Sequence, residues 1–277
     1  MQSADNERGF WTPEELAAQL VQNCGLERES IWIVHSSMKS LGLVEGGPED
    51  VVWAIETAVG VEGTVLMPVF TAPAANGLFR LDSAPSRTGL ITETFRTAPG
   101  VLRSRHPTHS VAAWGKRAAE FVEGHDRTSG LGVGSPFHKA AQAGAEVLMI
   151  GCDLRSCSLI HVAEAVVRVP YLGKVCYPGY DRPLTLVDET GARSTVEPHD
   201  VPTDSAGFTA VQDVLDQRGY LAHRRLGLAE CLTFHAATGL GVAAELLRAD
   251  PAALLCNNPD CSVCPQARAI VEQHRQR

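Results

Sequence analysis

The chain has 277 residues, 44% of them hydrophobic and 20% charged, an ordinary globular balance with enough apolar side chains for a sizeable core. Its formal net charge of -8 argues against nucleic acid as the main partner, because phosphate backbones call for a Lys/Arg surplus, and suits a cationic ligand. No apolar run reaches the length of a membrane span, and the start from Met1 to Trp11 lacks a basic segment followed by an apolar one. We therefore expect a soluble cytoplasmic protein with reduced cysteines, folded as a single domain over 1–277, monomeric or homodimeric.

Taken in order, Thr12-Pro13-Glu14-Glu15 predicts a helix start, with Thr12 as N-cap and Glu15 closing a capping box. A buried strand over 30–35 follows, rich in β-branched and aromatic residues, and delivers His35, Ser36, Ser37 and Lys39 at its carboxyl end. Hydroxyls, a lysine and flexible backbone there suit phosphate or amide recognition. A helix over 48–59 and a strand over 63–68 establish the β-α-β alternation of a parallel sheet. Residues 71–87 read as a long loop of the kind that walls a substrate site, and a short helix runs from 89 to 96. The proline-bent segment Ser104-Arg-His106-Pro-Thr-His109-Ser110 concentrates functional side chains ahead of a strand ending near Gly115. Ser135-Pro136 caps a helix over 136–142, which leads into a buried strand over 146–151.

Beyond that strand stands Ser158-Leu-Ile-His161-Val-Ala-Glu164. At helical spacing i and i+3 side chains share a face, so Glu164 can orient or polarise the His161 imidazole as a general base. Ligands of open α/β sheets gather beyond such strand ends, which sets the pair at a cleft. Downstream, 177–196 predicts a hairpin around Asp188-Glu-Thr-Gly191, the stretch from Glu197 to Asp204 is acidic, and a helix over 206–218 precedes a last strand over 228–232 and a helix over 235–248.

The ordered motifs His35-Ser-Ser-x-x-Ser-Leu-Gly42, Gly63-Thr64 with Pro68, Phe95-Arg96 with Pro99-Gly100, Arg103-Ser104-x-His106-Pro107-x-x-Ser110, Leu131-Gly-x-x-Ser135-Pro136 and Ser158-x-x-His161-x-x-Glu164 resemble the aminoglycoside 3-N-acetyltransferase family over roughly residues 13–270. The resemblance implies an α/β fold, a three-layer α/β/α sandwich around a largely parallel sheet with added β-hairpins. It implies transfer of acetyl from acetyl-CoA to a cationic amine, typically N3 of a 2-deoxystreptamine aminoglycoside, as a drug-resistance activity. His161 and Glu164 match the family motif directly, and a triad aspartate is assigned to Asp200, with Asp204 as competitor. Ser36, Ser37, Ser104 and the Ser110-Val111-Ala112 backbone are implied to lie along CoA, and His35 and Ser135 are grouped with them. Ser158 replaces the family's usual threonine and Thr88 its usual methionine before Gly89, and the loop over 71–87 is poor in acidic side chains. An amine other than an aminoglycoside, or a CoA-binding scaffold without catalysis, are the alternatives. A serine hydrolase is disfavoured, since no Gly-x-Ser-x-Gly elbow is present.

Cys256-Asn-Asn-Pro-Asp-Cys261-Ser-Val-Cys264 places three thiols within nine residues and predicts a structural zinc. Closed zinc sites use four ligands, so a fourth donor is expected from His274, His235 or Cys231.

Overall fold

The computed structural model describes residues 9–276. The polar start read in the sequence therefore lies largely outside the described residues. The elements in chain order are β1 (Phe10–Trp11), α1 (Pro13–Gln22), β2 (Ile31–Ser36), β3 (Leu43–Val44), α2 (Pro48–Val59), β4 (Thr64–Pro68), β5 (Leu78–Arg80), α3 (Leu90–Thr97), β6 (Leu102–Arg103), β7 (Val111–Gly115), α4 (Ala118–Val122), α5 (Pro136–Gln142), β8 (Glu146–Ile150), α6 (Ile160–Val167), β9 (Leu184–Val187), β10 (Arg193–Val196), α7 (Thr209–Gln217), β11 (Ala222–Leu226), β12 (Ala229–His235), α8 (Ala236–Ala249) and α9 (Cys264–Arg275).

Local chemistry sets many of these boundaries. Thr12 Oγ1 accepts from the Glu15 N–H at 3.3 Å while Glu15 Oε2 accepts from the Thr12 N–H at 3.1 Å, so the predicted capping box starts α1. Leu16 and Leu20, one turn apart, are fully buried, and each such side chain contributes about 1.5–3 kcal/mol by leaving water. Ser135 Oγ caps α5 by accepting from the His138 N–H at 3.4 Å, with Pro136 in the first turn.

A seven-stranded sheet runs in the order β11-β12-β8-β2-β4-β7-β6. Only its centre, β8-β2-β4, is parallel; β12 and β11 on one side and β7 and β6 on the other pair antiparallel. Side chains alternate between two apolar clusters, as the period of two in a strand requires. Ile33, Leu66, Val147 and Met149 join α5 to α9 on one face, whereas Val34, Val65, Leu148 and Ile150 join α1, α2 and α3 on the other. Helices thus cover both faces of the sheet.

The predicted hairpin is β9-β10, and it extends to a three-stranded sheet by parallel pairing of β9 with β5, a strand inside the stretch read as loop. β11 was invisible to periodicity because His223, Arg224 and Arg225 are exposed, as suits a strand at a sheet edge. Among the described residues no helix is long and apolar enough to cross a membrane.

The register His35↔Met149 and Ser36↔Ile150 brings the carboxyl ends of β2 and β8 side by side, and the Ser37 N–H donates to Ile150 O at 2.8 Å. Gly151, at φ +62°, turns the chain immediately after β8; a Cβ there would lie 1.7 Å from Ser40 Oγ. That turn sends the chain past Ser158 into α6, opposite His35 and Ser36.

Candidate active site

His161 sits in the first turn of α6, and its Nδ1 lies 2.7 Å from Glu164 Oε2. Both residues are buried, and the other carboxylate oxygen, Oε1, accepts from Tyr171 OH at 2.9 Å and Thr203 Oγ1 at 3.1 Å. A carboxylate that accepts from the imidazole at Nδ1 leaves Nε2 as the nitrogen free to take a proton. Phe208 meets the imidazole edge-on with centroids 4.6 Å apart, holding the ring plane.

His161 lines a cavity of about 360 Å³ together with His35, Ser36, His109, Arg155 and Thr203. His35 Nε2 and Ser36 Oγ are buried and have no hydrogen-bond partner among the described residues. Burial pushes the His35 imidazole down to about 4, so it is neutral at physiological pH and has one N–H to give. His109, packed edge-on against Phe70 with centroids 5.0 Å apart, is likewise pushed down to about 3, by burial and then by the nearby His161.

The cavity opens in two directions. Ser36 and Thr88 also line a groove of about 750 Å³ that continues past Ser37, Lys39 and Gly89. Arg155, Ser156 and Ser205 are shared with a wider groove of about 1380 Å³ whose walls carry Asp153, Asp204 and Glu230. The His161–Glu164 pair therefore stands where two grooves meet.

Other sequence-predicted site residues lie elsewhere. Asp200 is exposed, in a left-handed conformation at φ +43°, and its backbone carbonyl accepts from Ser129 Oγ at 3.3 Å; the partners of Glu164 are His161 and the hydroxyls of Tyr171 and Thr203. Ser104 is wholly buried, its Oγ 2.7 Å from His125 Nδ1 and accepting from the Val111 N–H at 2.7 Å. Ser110 donates to Val69 O and accepts from Arg103 Nε, both at 2.9 Å. These hydroxyls, with Val111 and Ala112 inside β7, are spent on the scaffold, and Ser135 is spent on its helix cap. Among the described residues the lining of the His161 cavity holds no carboxylate, while Asp204, at the end of the acidic stretch, stands on the wall of the wider groove that shares Arg155, Ser156 and Ser205 with it. Glu164 is committed to His161, and Glu197 is exposed beside His199 in a small pocket that shares His109, Tyr180 and Pro202 with the cavity.

None of the fourth metal donors expected from the sequence approaches the C-terminal cysteines. Cys231 is buried on β12 and interacts with Cys24; His235 is exposed at the far end of the same strand; His274 is exposed in the last turn of α9. Asp204 is the residue beside Cys256, Cys261 and Cys264. Tyr171, Thr203 and Phe208 were not singled out from the sequence. Only Tyr171 carried a signal: a tyrosine between Pro170 and Leu172 directly after an apolar helix is set for burial, and a buried phenol needs a partner.

Residues 33–238 match the family described as Aminoglycoside 3-N-acetyltransferase. The chain belongs to that family. The aminoglycoside N(3)-acetyltransferase III of Salmonella sp is 31% identical over 252 residues, covering 80% of this chain and 87% of the relative. Among solved structures, AAC-IIIb in binary complex with CoASH is 26% identical, with a TM-score of 0.70 over 87% of this chain and 97% of the other. Sisomicin-bound AAC-VIa is also 26% identical, with a TM-score of 0.73 over 86% and 98%. The family assignment agrees with the motif resemblance, and the α/β fold is shared.

Proposed function

We propose that the protein transfers acetyl from acetyl-CoA directly to the 3-amino group of a 2-deoxystreptamine aminoglycoside, with His161 as general base. The observation that carries this reading is the 2.7 Å His161–Glu164 contact at the junction of two grooves. Further support comes from the kinship with enzymes named aminoglycoside N(3)-acetyltransferase and with family structures holding CoASH or sisomicin. Acetyl-CoA enters along the groove of Ser37 and Lys39, which offers a cation to phosphate, and the acceptor enters by the wider groove. The reaction so proposed is a cytosolic one.

In the transfer step the amine nitrogen bonds to the thioester carbonyl carbon while His161 Nε2 takes the N–H proton, and Glu164 stabilises the imidazolium that forms. The carbonyl oxygen gains negative charge, which His35 and Ser36, otherwise unpartnered, are suited to stabilise as donors. Collapse breaks the carbon–sulfur bond, and the imidazolium returns its proton to the departing sulfur. The products are the amide and free CoA, with no covalent enzyme intermediate.

Carboxylates line the wider groove but, among the described residues, not the cavity itself, so an acceptor with a single amine is a second reading, which an acetylation assay across aminoglycosides and simple amines separates. His161→Ala should keep CoA binding and lose about 10²- to 10⁴-fold in turnover of the best acceptor. Near wild-type turnover in that variant removes His161 from the role, and no thioester turnover with any acceptor leaves a CoA-binding scaffold.

A further inference from the structure

The C-terminal cysteines gather against the back of the site. One donor atom each from Asp204, Cys256, Cys261 and Cys264 lies within 4.8 Å of all the others; Cys264 is buried and the rest half-buried. Thiolates on one tetrahedral zinc stand about 3.8 Å apart, the spacing fixed by Zn–S bonds of about 2.3 Å. Small side-chain rotations therefore close all four donors on one ion.

The surroundings are ordered as a ligand shell requires. The Cys264 N–H donates to Cys261 Sγ at 3.4 Å, and Arg268 Nη2 holds the cysteine loop through Leu255 O at 2.7 Å and Asn257 Oδ1 at 2.8 Å. Tyr177 OH donates to Asp204 Oδ2 at 2.9 Å and the Ala206 N–H to Oδ1 at 2.8 Å, fixing the carboxylate. Three thiolates and one carboxylate favour zinc over hard cations, and four protein ligands leave no open position for catalysis. Binding releases the three thiol protons to solvent and involves no change of oxidation state.

Asp204 follows Thr203, which bonds Glu164, and precedes Phe208, which packs on His161. The geometry points to a zinc ion held by Asp204, Cys256, Cys261 and Cys264 that ties residues 202–208 to the C-terminal loop and so positions the His161–Glu164 pair. The binding claim stands on the donors alone, whereas the positioning claim rests on His161 being the base. Asp204 and the cysteines are positioning residues, since they act on the base through Thr203 and Phe208 and do not touch it.

The test uses the full chain purified without a metal-affinity tag. Elemental analysis should find one zinc per chain, and cobalt exchanged into the site should give an intense thiolate-to-cobalt charge-transfer band with tetrahedral d–d bands. Asp204→Ala should keep the charge-transfer band, alter the d–d bands, and lose more zinc affinity than the roughly 10- to 100-fold that removing an outer hydrogen-bond partner costs. Stripping zinc from the wild-type enzyme should lower Tm and displace the acidic limb of the kcat pH profile, with KM for acetyl-CoA unchanged and both effects reversed by added zinc. Substoichiometric zinc, with no loss of Tm in Cys261→Ser and Cys264→Ser, overturns the site; undiminished zinc affinity in Asp204→Ala overturns the fourth ligand. A metal-free enzyme with an unchanged pH profile overturns the positioning role. Metal content and cobalt spectra of His161→Ala do not depend on turnover, so an error about the base is read separately from an error about the metal.

Discussion

Thr203 Oγ1 donates to Glu164 Oε1 at 3.1 Å, joining residues 39 apart in sequence at the back of the proposed base. With Tyr171 on the same oxygen, this leaves Oε2 for the imidazole and fixes which way the carboxylate faces. Hydrogen bonds to charged groups contribute about 1.5–3 kcal/mol. Thr203→Val, which keeps the shape, should lose stability in that range in urea titration and lower kcat with KM for acetyl-CoA little changed. A variant as stable and active as the parent would show that the contact is incidental.

The unpartnered Ser36 hydroxyl gives a second expectation. It lies where the cavity meets the Lys39 groove, so a bound thioester is the partner it lacks in the free protein. One neutral hydrogen bond is worth about 0.5–1.5 kcal/mol, or roughly two- to twelve-fold in Kd. Calorimetry should therefore find acetyl-CoA binding weaker by that factor in Ser36→Ala, with unfolding stability unchanged. Unaltered affinity would move the cosubstrate away from the end of β2.

Ser104 separates scaffold from ligand contact. It bonds both His125 and the Val111 N–H in a fully buried setting, so Ser104→Ala strands two polar groups without water. Stranding buried groups costs about 1–3 kcal/mol each, and unfolding stability should fall by at least that much while Kd for CoA holds. Weakened CoA binding at unchanged stability would restore the role that motif resemblance implied.

What could be read beforehand was local. Thr12 with Glu15, Ser135 with Pro136, the buried runs of β2 and β8, and His161 with Glu164 are all set by residues a few positions apart. What escaped depends on chain crossings. Ser104 and Ser110 carry the chemistry of ligand donors, and only the packing of β7 against His125 and Val69 turns them inward. Asp200 and Asp204 look alike in an acidic, proline-broken stretch, yet one turns to solvent while the other meets three cysteines more than fifty residues downstream. The short strands β5 and β6 and the charged edge strand β11 lack the alternation that marks a half-buried strand.

The buried histidines predict an acid limit to stability. His35, His106 and His125 are each at most 6% exposed, and burial, reinforced for His106 and His125 by nearby histidines, pushes His35 down to about 4, His106 to about 3 and His125 well below its usual value. In the unfolded chain each titrates near about 6.5. Between those values the unfolded state binds more protons than the folded one, so their contribution is fully present above about pH 6.5 and is lost as pH falls towards the folded values. Each histidine adds a slope of about 1.4 kcal/mol per pH unit inside its window. Urea titrations should thus give constant stability between pH 7 and 8 as far as these groups are concerned, then a steep fall from pH 6 to pH 4. Replacing His35 by Gln should make that fall shallower by one proton, a change that a fall set by carboxylates alone would not show.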